Sequence, residues 1–169
     1  MGPLRTVTAL FTDLVGSTGL EARIGPALAD ELRVEYFAVL REVLAETGGR
    51  EVKTTGDGLM AVFPSAASAV DCAVAIEQRI DRRNGRADEA LGIRVGLNLG
   101  DATVENGDYF GLAVNTAARL CDAATSGQIV IAPRVGAAVE HLVEMEPVGD
   151  LRLKGIHKPV AAANVGRIL

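Results

Sequence analysis

The sequence predicts an α+β fold in which helices pack on one face of a mixed sheet. Three observations predict it. Apolar residues recur at two periods, the alternation typical of strands and the three-to-four spacing of helices. These segments run in the order β, α, β-hairpin, α, β, α, β, followed by a final pair of strands. A tight turn joins two of the strands, while helical crossovers join the others. No repeat, low-complexity tract or linker interrupts the 169 residues, so residues 1–169 read as one compact domain.

Each element has its own signature. "RTVTALFTD" alternates β-branched and apolar residues and predicts a strand over residues 5–13. Residues 26–46 place Leu28, Leu32, Tyr36, Val39, Leu40 and Val43 at helical spacing, with Pro26 suited to the first turn and Gly48-Gly49 to the end. "VKTTGDGLMAVF", residues 52–63, reads as a hairpin turning at Asp57-Gly58. Ser65 is the expected N-cap of a second helix, "SAASAVDCAVAIEQRIDRR". "LGIRVGLNLGDATV" is a strand interrupted by glycines, "LAVNTAARLCDAAT" a third helix closed by Gly127, and "QIVIA" a short strand. "VEMEPVGDLRLKG" and "KPVAAANVGRI" form the closing pair.

Composition narrows the function classes. Apolar residues make up 49% and charged residues 23% of the chain, the profile of a globular protein. The formal net charge of −5 makes nucleic acid and anionic membrane poor partners for the surface as a whole. A phosphate-bearing ligand must then be met by local basic groups, or by metal ions held on carboxylates. Cys72 and Cys121 each fall inside an apolar helical pattern and read as buried free thiols in a reducing compartment. No apolar run reaches membrane-span length and no signal-peptide core is present, so the expected location is cytoplasmic, without membrane insertion. His141 and His157 lack the spacing of a zinc site.

Two carboxylates stand at two strand ends. Asp13 closes the first strand and Asp57 occupies the hairpin tip, so neighbouring strands would bring them together. Like charges at short range repel unless a cation lies between them. Magnesium fits, being hard, oxygen-seeking and usually held by one or two carboxylates plus substrate phosphates. The plainer reading is a solvated strand end and a turn-forming aspartate. After Asp13, "LVGST" offers Gly16, Ser17 and Thr18, either as backbone donors for a phosphate or as a simple helix cap. Farther on, Asn115 and Arg119 lie four apart on one side of a helix. That helix is otherwise apolar, so its arginine calls for an anionic partner.

With these residues in place, the chain closely resembles the catalytic domain of the class III nucleotidyl cyclases, most of all the homodimeric bacterial type. The motifs "FTDLVGST", "KTTGDG", "IRVGLNLG" and "NTAARL" occur in the family's order and spacing, and the match runs from Val7 to about Val165. The resemblance implies a ferredoxin-like βαββαβ core, mostly antiparallel, with a C-terminal β-hairpin. It implies that Asp13, Asp57 and the carbonyl of Leu14 hold two Mg2+ or Mn2+ ions per active site. It further implies that Asn115 orients the ribose and Arg119 stabilises charge on the α-phosphoryl group. Thr18, Arg94 and Lys154 would bind the substrate's phosphates, and Lys53 with Asp108 would read the purine. Active sites would lie across a homodimer interface.

The base follows from hydrogen-bond chemistry. Adenine N1 accepts, which suits Lys53, and adenine N6 donates, which suits Asp108; guanine presents the opposite pattern. The expected activity is therefore an adenylate cyclase that turns ATP into 3′,5′-cyclic AMP and pyrophosphate. The alternatives are a guanylate or relaxed-specificity cyclase, and a nucleotide-binding regulatory domain without turnover. The last would be expected to have lost a metal aspartate, the asparagine or the arginine, and all four are present.

Overall fold

The structure, a computed structural model, describes residues 2–169; of the expected span, Met1 lies outside the described residues. The chain runs β1 (Leu4–Val15), α1 (Ser17–Ile24), α2 (Pro26–Thr47), β2 (Arg50–Thr54), β3 (Leu59–Phe63), α3 (Ala66–Asn84) and β4 (Gly92–Glu105). It continues through β5 (Asp108–Phe110), α4 (Leu112–Ala123), β6 (Ile129–Ile131), α5 (Pro133–Val139), β7 (Val143–Leu151) and β8 (Val160–Ile168). The strands form one sheet in the order β2-β3-β1-β4-β6-β8-β7, with β5 paired to β4. Its β2-β3-β1-β4 half, antiparallel throughout, has the ferredoxin-like order. β6 pairs with β4 in parallel, and β7 with β8 makes the expected C-terminal hairpin.

Local signals explain most boundaries. Pro26 takes the first turn of α2, and Gly48 ends that helix in a left-handed conformation. The Ser65 hydroxyl accepts from the Ser68 N–H at 3.1 Å and caps α3. Among the described residues no helix is long and apolar enough to cross a membrane.

β1 is apolar on both faces because both faces are covered. Leu10 and Leu14 are buried with Leu32, Tyr36 and Leu40 of α2 and Ile76 of α3. Ala9 and Phe11 point the other way, against Val114, Ala117 and Cys121 of α4. The one-faced arrangement expected from the sequence thus holds for the crossover helices α2 and α3, while α4 lies across the opposite face. A glycine on β4 makes room for it. A Cβ at Gly96 would stand 2.3 Å from the Cys121 nitrogen and 2.5 Å from the Ala117 carbonyl oxygen. Only a strand without a side chain there lets the helix backbone lie so close.

Some boundaries differ from expectation. The first strand runs past Asp13 to Val15, and an additional helix, α1, begins at Ser17 behind a left-handed Gly16. β5 and α5 are additional elements. α4 ends at Ala123, and Gly127 lies beyond it in the approach to β6. The β2–β3 connection takes four residues, 55–58, instead of a two-residue Asp-Gly turn, and its left-handed glycine is Gly56. Gly58 meets a different demand, since a Cβ there would fall 1.7 Å from the Thr12 carbonyl oxygen. The hairpin tip is therefore pressed against the end of β1.

Candidate active site

That contact positions Asp13, near the end of β1, and Asp57, in the β2–β3 turn. The Leu14 N–H donates to the Asp57 carbonyl oxygen at 3.2 Å, tying β1 to the hairpin tip. Beneath them, the buried Thr12 hydroxyl accepts from the Leu59 N–H at 3.2 Å and lies 3.1 Å from the Tyr36 hydroxyl. Burial pushes the Tyr36 phenol far above its ordinary range, so it stays protonated. Each carboxylate has an arginine. Arg94, directly across from Asp13 in the β1–β4 register, donates to Asp13 Oδ2 from Nη2 at 2.8 Å and from Nε at 3.2 Å. Arg33 of α2 donates to Asp57 Oδ1 from Nε at 3.0 Å.

A second group forms where β2 meets β5. The β4–β5 hairpin turns on Asn106-Gly107, with φ of 51° and 76°, and Glu105 faces Asp108. Two consecutive left-handed residues are what a twist-matched two-residue turn requires. This turn delivers Asp108 to Lys53, whose Nζ lies 2.9 Å from Asp108 Oδ2 and 5.9 Å from the centre of the Phe110 ring. Asp108 Oδ1 accepts from the Tyr109 N–H at 2.7 Å. Burial pushes the Asp108 carboxyl up, but the Lys53 and Tyr109 hydrogen bonds outweigh it and hold the group below its ordinary value.

The third group lies on α4. Asn115, Ala118 and Arg119 line a cavity of about 370 Å³ with Lys154, Gly155 and Ile156 from the loop after β7. Asp13 opens onto a separate cavity of about 260 Å³ that also borders Ala118, together with Thr55 and Asp122. Arg119 finds its anionic partner within the helix, Nη1 lying 3.2 Å from Asp122 Oδ2. The Asp122 carbonyl oxygen in turn accepts from Arg94 Nη1 at 2.8 Å.

The predicted residues thus gather into three sets within one chain. Lys53 meets Asp108; Asn115, Arg119 and Lys154 share a cavity; Asp13 lies beside Leu14, Asp57 and Arg94. Thr18 is exposed in the first turn of α1, whose N-terminus has no side-chain cap. Leu14 is buried, so only its backbone is available to a ligand. Arg94 contacts Asp13 in this chain, whereas a phosphate was expected as its partner. Sequence reasoning missed Arg33, Asp122 and Phe110. Asp122 had a signal, standing three residues beyond Arg119 on one helix face. Arg33 had none.

The residues fit a divalent cation. Carboxylates and a main-chain carbonyl are hard oxygen donors, and the arginine on each carboxylate shows that both attract positive charge. Among the described residues no group of three or more His, Cys, Asp and Glu side chains stands together. Two carboxylates would therefore leave coordination positions for the phosphates of a substrate. Both cysteines are free and buried, and burial pushes their thiols up, Cys72 to about 11 and Cys121 to about 12. Neither is a nucleophile at neutral pH.

Known proteins share this fold. The family model for the adenylate and guanylate cyclase catalytic domain matches residues 1–163. An adenylate cyclase of Streptomyces coelicolor is 31% identical over 128 residues, covering 75% of this chain and 32% of its own. Among solved structures, the adenylyl cyclase CyaB of P. aeruginosa superposes with a TM-score of 0.90 at 26% identity, covering 98% of this chain and 95% of its own. An adenylate/guanylate cyclase/hydrolase from Silicibacter pomeroyi gives 0.88 at 30% identity, covering 96% and 97%. The chain spans only 27% to 39% of the length of the first curated relatives it matches. Motifs, sheet order and matches converge, and the chain belongs to the family of adenylate and guanylate cyclase catalytic domains.

Proposed function

We propose that residues 1–169 act as one catalytic domain that converts ATP to 3′,5′-cyclic AMP and pyrophosphate, in the cytoplasm and as a homodimer. The observation that carries the choice of base is the Lys53–Asp108 contact at 2.9 Å. It sets one donor and one acceptor side by side, the complement of adenine N1 and N6. Guanine would leave the lysine facing a donor and the carboxylate facing an acceptor, each mismatch costing about 1–3 kcal/mol.

The chain's own groups divide the work. Asp13, Asp57 and the Leu14 carbonyl would hold two Mg2+ or Mn2+ ions, which when bound neutralise triphosphate charge and make the ribose 3′-hydroxyl more acidic. Asn115 orients the ribose so that the 3′-oxygen faces the α-phosphorus in line with the departing pyrophosphate. Arg119 meets the charge that develops on the α-phosphoryl oxygens, leaving Asp122 to do so. Arg94, Lys154 and the first turn of α1 at Thr18 take up the remaining phosphate charge. The purine and transition-state groups of one protomer serve a site whose carboxylates belong to its partner.

The test is turnover of ATP and of GTP with Mn2+, read as cyclic AMP and cyclic GMP. ATP should be the better substrate, and K53E combined with D108C should raise GTP use relative to ATP. An unchanged ratio in the double variant would remove these two residues from base recognition.

A further inference from the structure

We propose that Arg33 sets the affinity of Asp57 for a divalent cation by competing for the same carboxylate; this rests on the metal role given to Asp57 above. Arg33 projects from the N-terminal half of α2 to the hairpin tip, its Nε 3.0 Å from Asp57 Oδ1. Its Nη1 lies 3.4 Å from Asp30 Oδ1, one helical turn back, so the guanidinium is tethered in that direction. The Arg33 side chain is 25% exposed and that of Asp57 28%. The pair is thus partly shielded, and such pairs are screened less than open surface pairs.

The two partners differ in freedom. Asp57 is held by the Leu14 N–H on its carbonyl and by the Gly58 backbone packed on Thr12. Its carboxylate sits on a short side chain and stays close to that backbone. Arg33 hangs on a long flexible side chain, and Asp30 remains as a partner when it leaves. A cation that takes Oδ1 of Asp57 displaces the guanidinium, and one that takes Oδ2 meets its positive charge close by; either way the arginine subtracts from the cation's affinity. By reciprocity the cation weakens the Arg33 contact by the same factor. Arg94 on Asp13 differs, because the Asp122 carbonyl also holds it, at 2.8 Å.

Mn2+ titration of the purified chain without nucleotide, followed by water-proton relaxation, reads this directly. Arg33→Met and Arg33→Gln should each tighten Mn2+ binding by about two- to five-fold, the range expected for losing one partly exposed competing charge. Arg33→Lys, which keeps the charge, should stay near wild type. Asp57→Asn should weaken binding. If Arg33→Met and Arg33→Gln bind no more tightly than wild type while Asp57→Asn has lost affinity, Arg33 is a structural clamp and the proposal fails. If Asp57→Asn leaves the titration unchanged, the metal role of Asp57 falls and this inference falls with it.

Discussion

Glu77 stands on α3 with its Oε1 atom buried and without a hydrogen-bond partner among the described residues. It borders a small cavity shared with Asp81, Ile129 and Arg167, but Arg167 pairs with Glu144 at 3.0 Å. Burial, helped by the Asp81 carboxylate, pushes the Glu77 carboxyl up to about 8. The sign follows from linkage. The folded protein keeps this proton where the unfolded chain has lost it, so stability falls as pH rises from the ordinary carboxylate range to about 8. The slope for one such group approaches about 1.4 kcal/mol per pH unit. Glu77→Gln should remove it, making the variant more stable than wild type at pH 9 by urea unfolding while the two differ less at pH 5. Equal pH dependence in both proteins would place the proton elsewhere. Identity at this scale was more legible than pairing. Asp13, Asp57, Asn115 and Arg119 stood out by residue type and spacing, yet nothing in the sequence aligned Asp13 with Arg94, a register set across 81 residues of chain. Arg33 looked like any exposed helix cation, because only the folded hairpin brings Asp57 to it.

At the scale of elements, the approach of α4 to β4 is exacting. The Gly96 position faces backbone atoms of α4, which cannot yield as a flexible side chain would. Gly96→Ala should force α4 off the sheet, costing about 1–3 kcal/mol of stability and displacing Asn115 and Arg119 with the helix. Denaturant unfolding and cyclase turnover on the same preparation check this, and wild-type values in both would refute it. The glycines of β4 were visible in the sequence, but their partner was not, so α4 appeared on the wrong face. Helices α2 and α3 were legible because 22 and 19 residues give periodicity room to repeat. α1 and α5, with eight and seven, complete too few turns to show one. β5 is another matter: Asn106-Gly107 is a strong hairpin signal, and it stood unread beside the Asp108 it positions.

At the scale of the molecule, the proposed site is divided between two copies, and that division can be tested by mixing inactive proteins. Arg119→Ala should lose on the order of 10³-fold or more in turnover, and Asp13→Ala should be equally inactive through the other half of the site. In a mixed dimer one site collects both defects, while the other has Asp13 from one protomer and Arg119 from its partner. Random exchange makes about half of the dimers mixed, so roughly a quarter of all sites should work. Activity should return on co-expression. Silence from a preparation in which mixed dimers are demonstrated would mean that each chain builds its site alone. Fold class was legible at this scale because apolar period and element order are written along the chain. A surface that meets another copy leaves no such periodic trace.

The parallel pairing of β6 with β4 has a consequence in time. Parallel neighbours cannot be joined by a tight turn and need a long crossover, and α4 is that crossover. The strands bearing Asp13 and Arg94, and the β2–β3 connection bearing Asp57, are all complete once Glu105 has been made. α4 gains its last cover only later, when Leu120 and Ala124 are buried against Val130, Leu153 and Ala162. A chain emerging from the ribosome therefore presents Asp13, Asp57 and Arg94 before the residues that complete the cover of α4. On the roles proposed for Asn115 and Arg119, turnover would therefore wait on the closing β7–β8 hairpin.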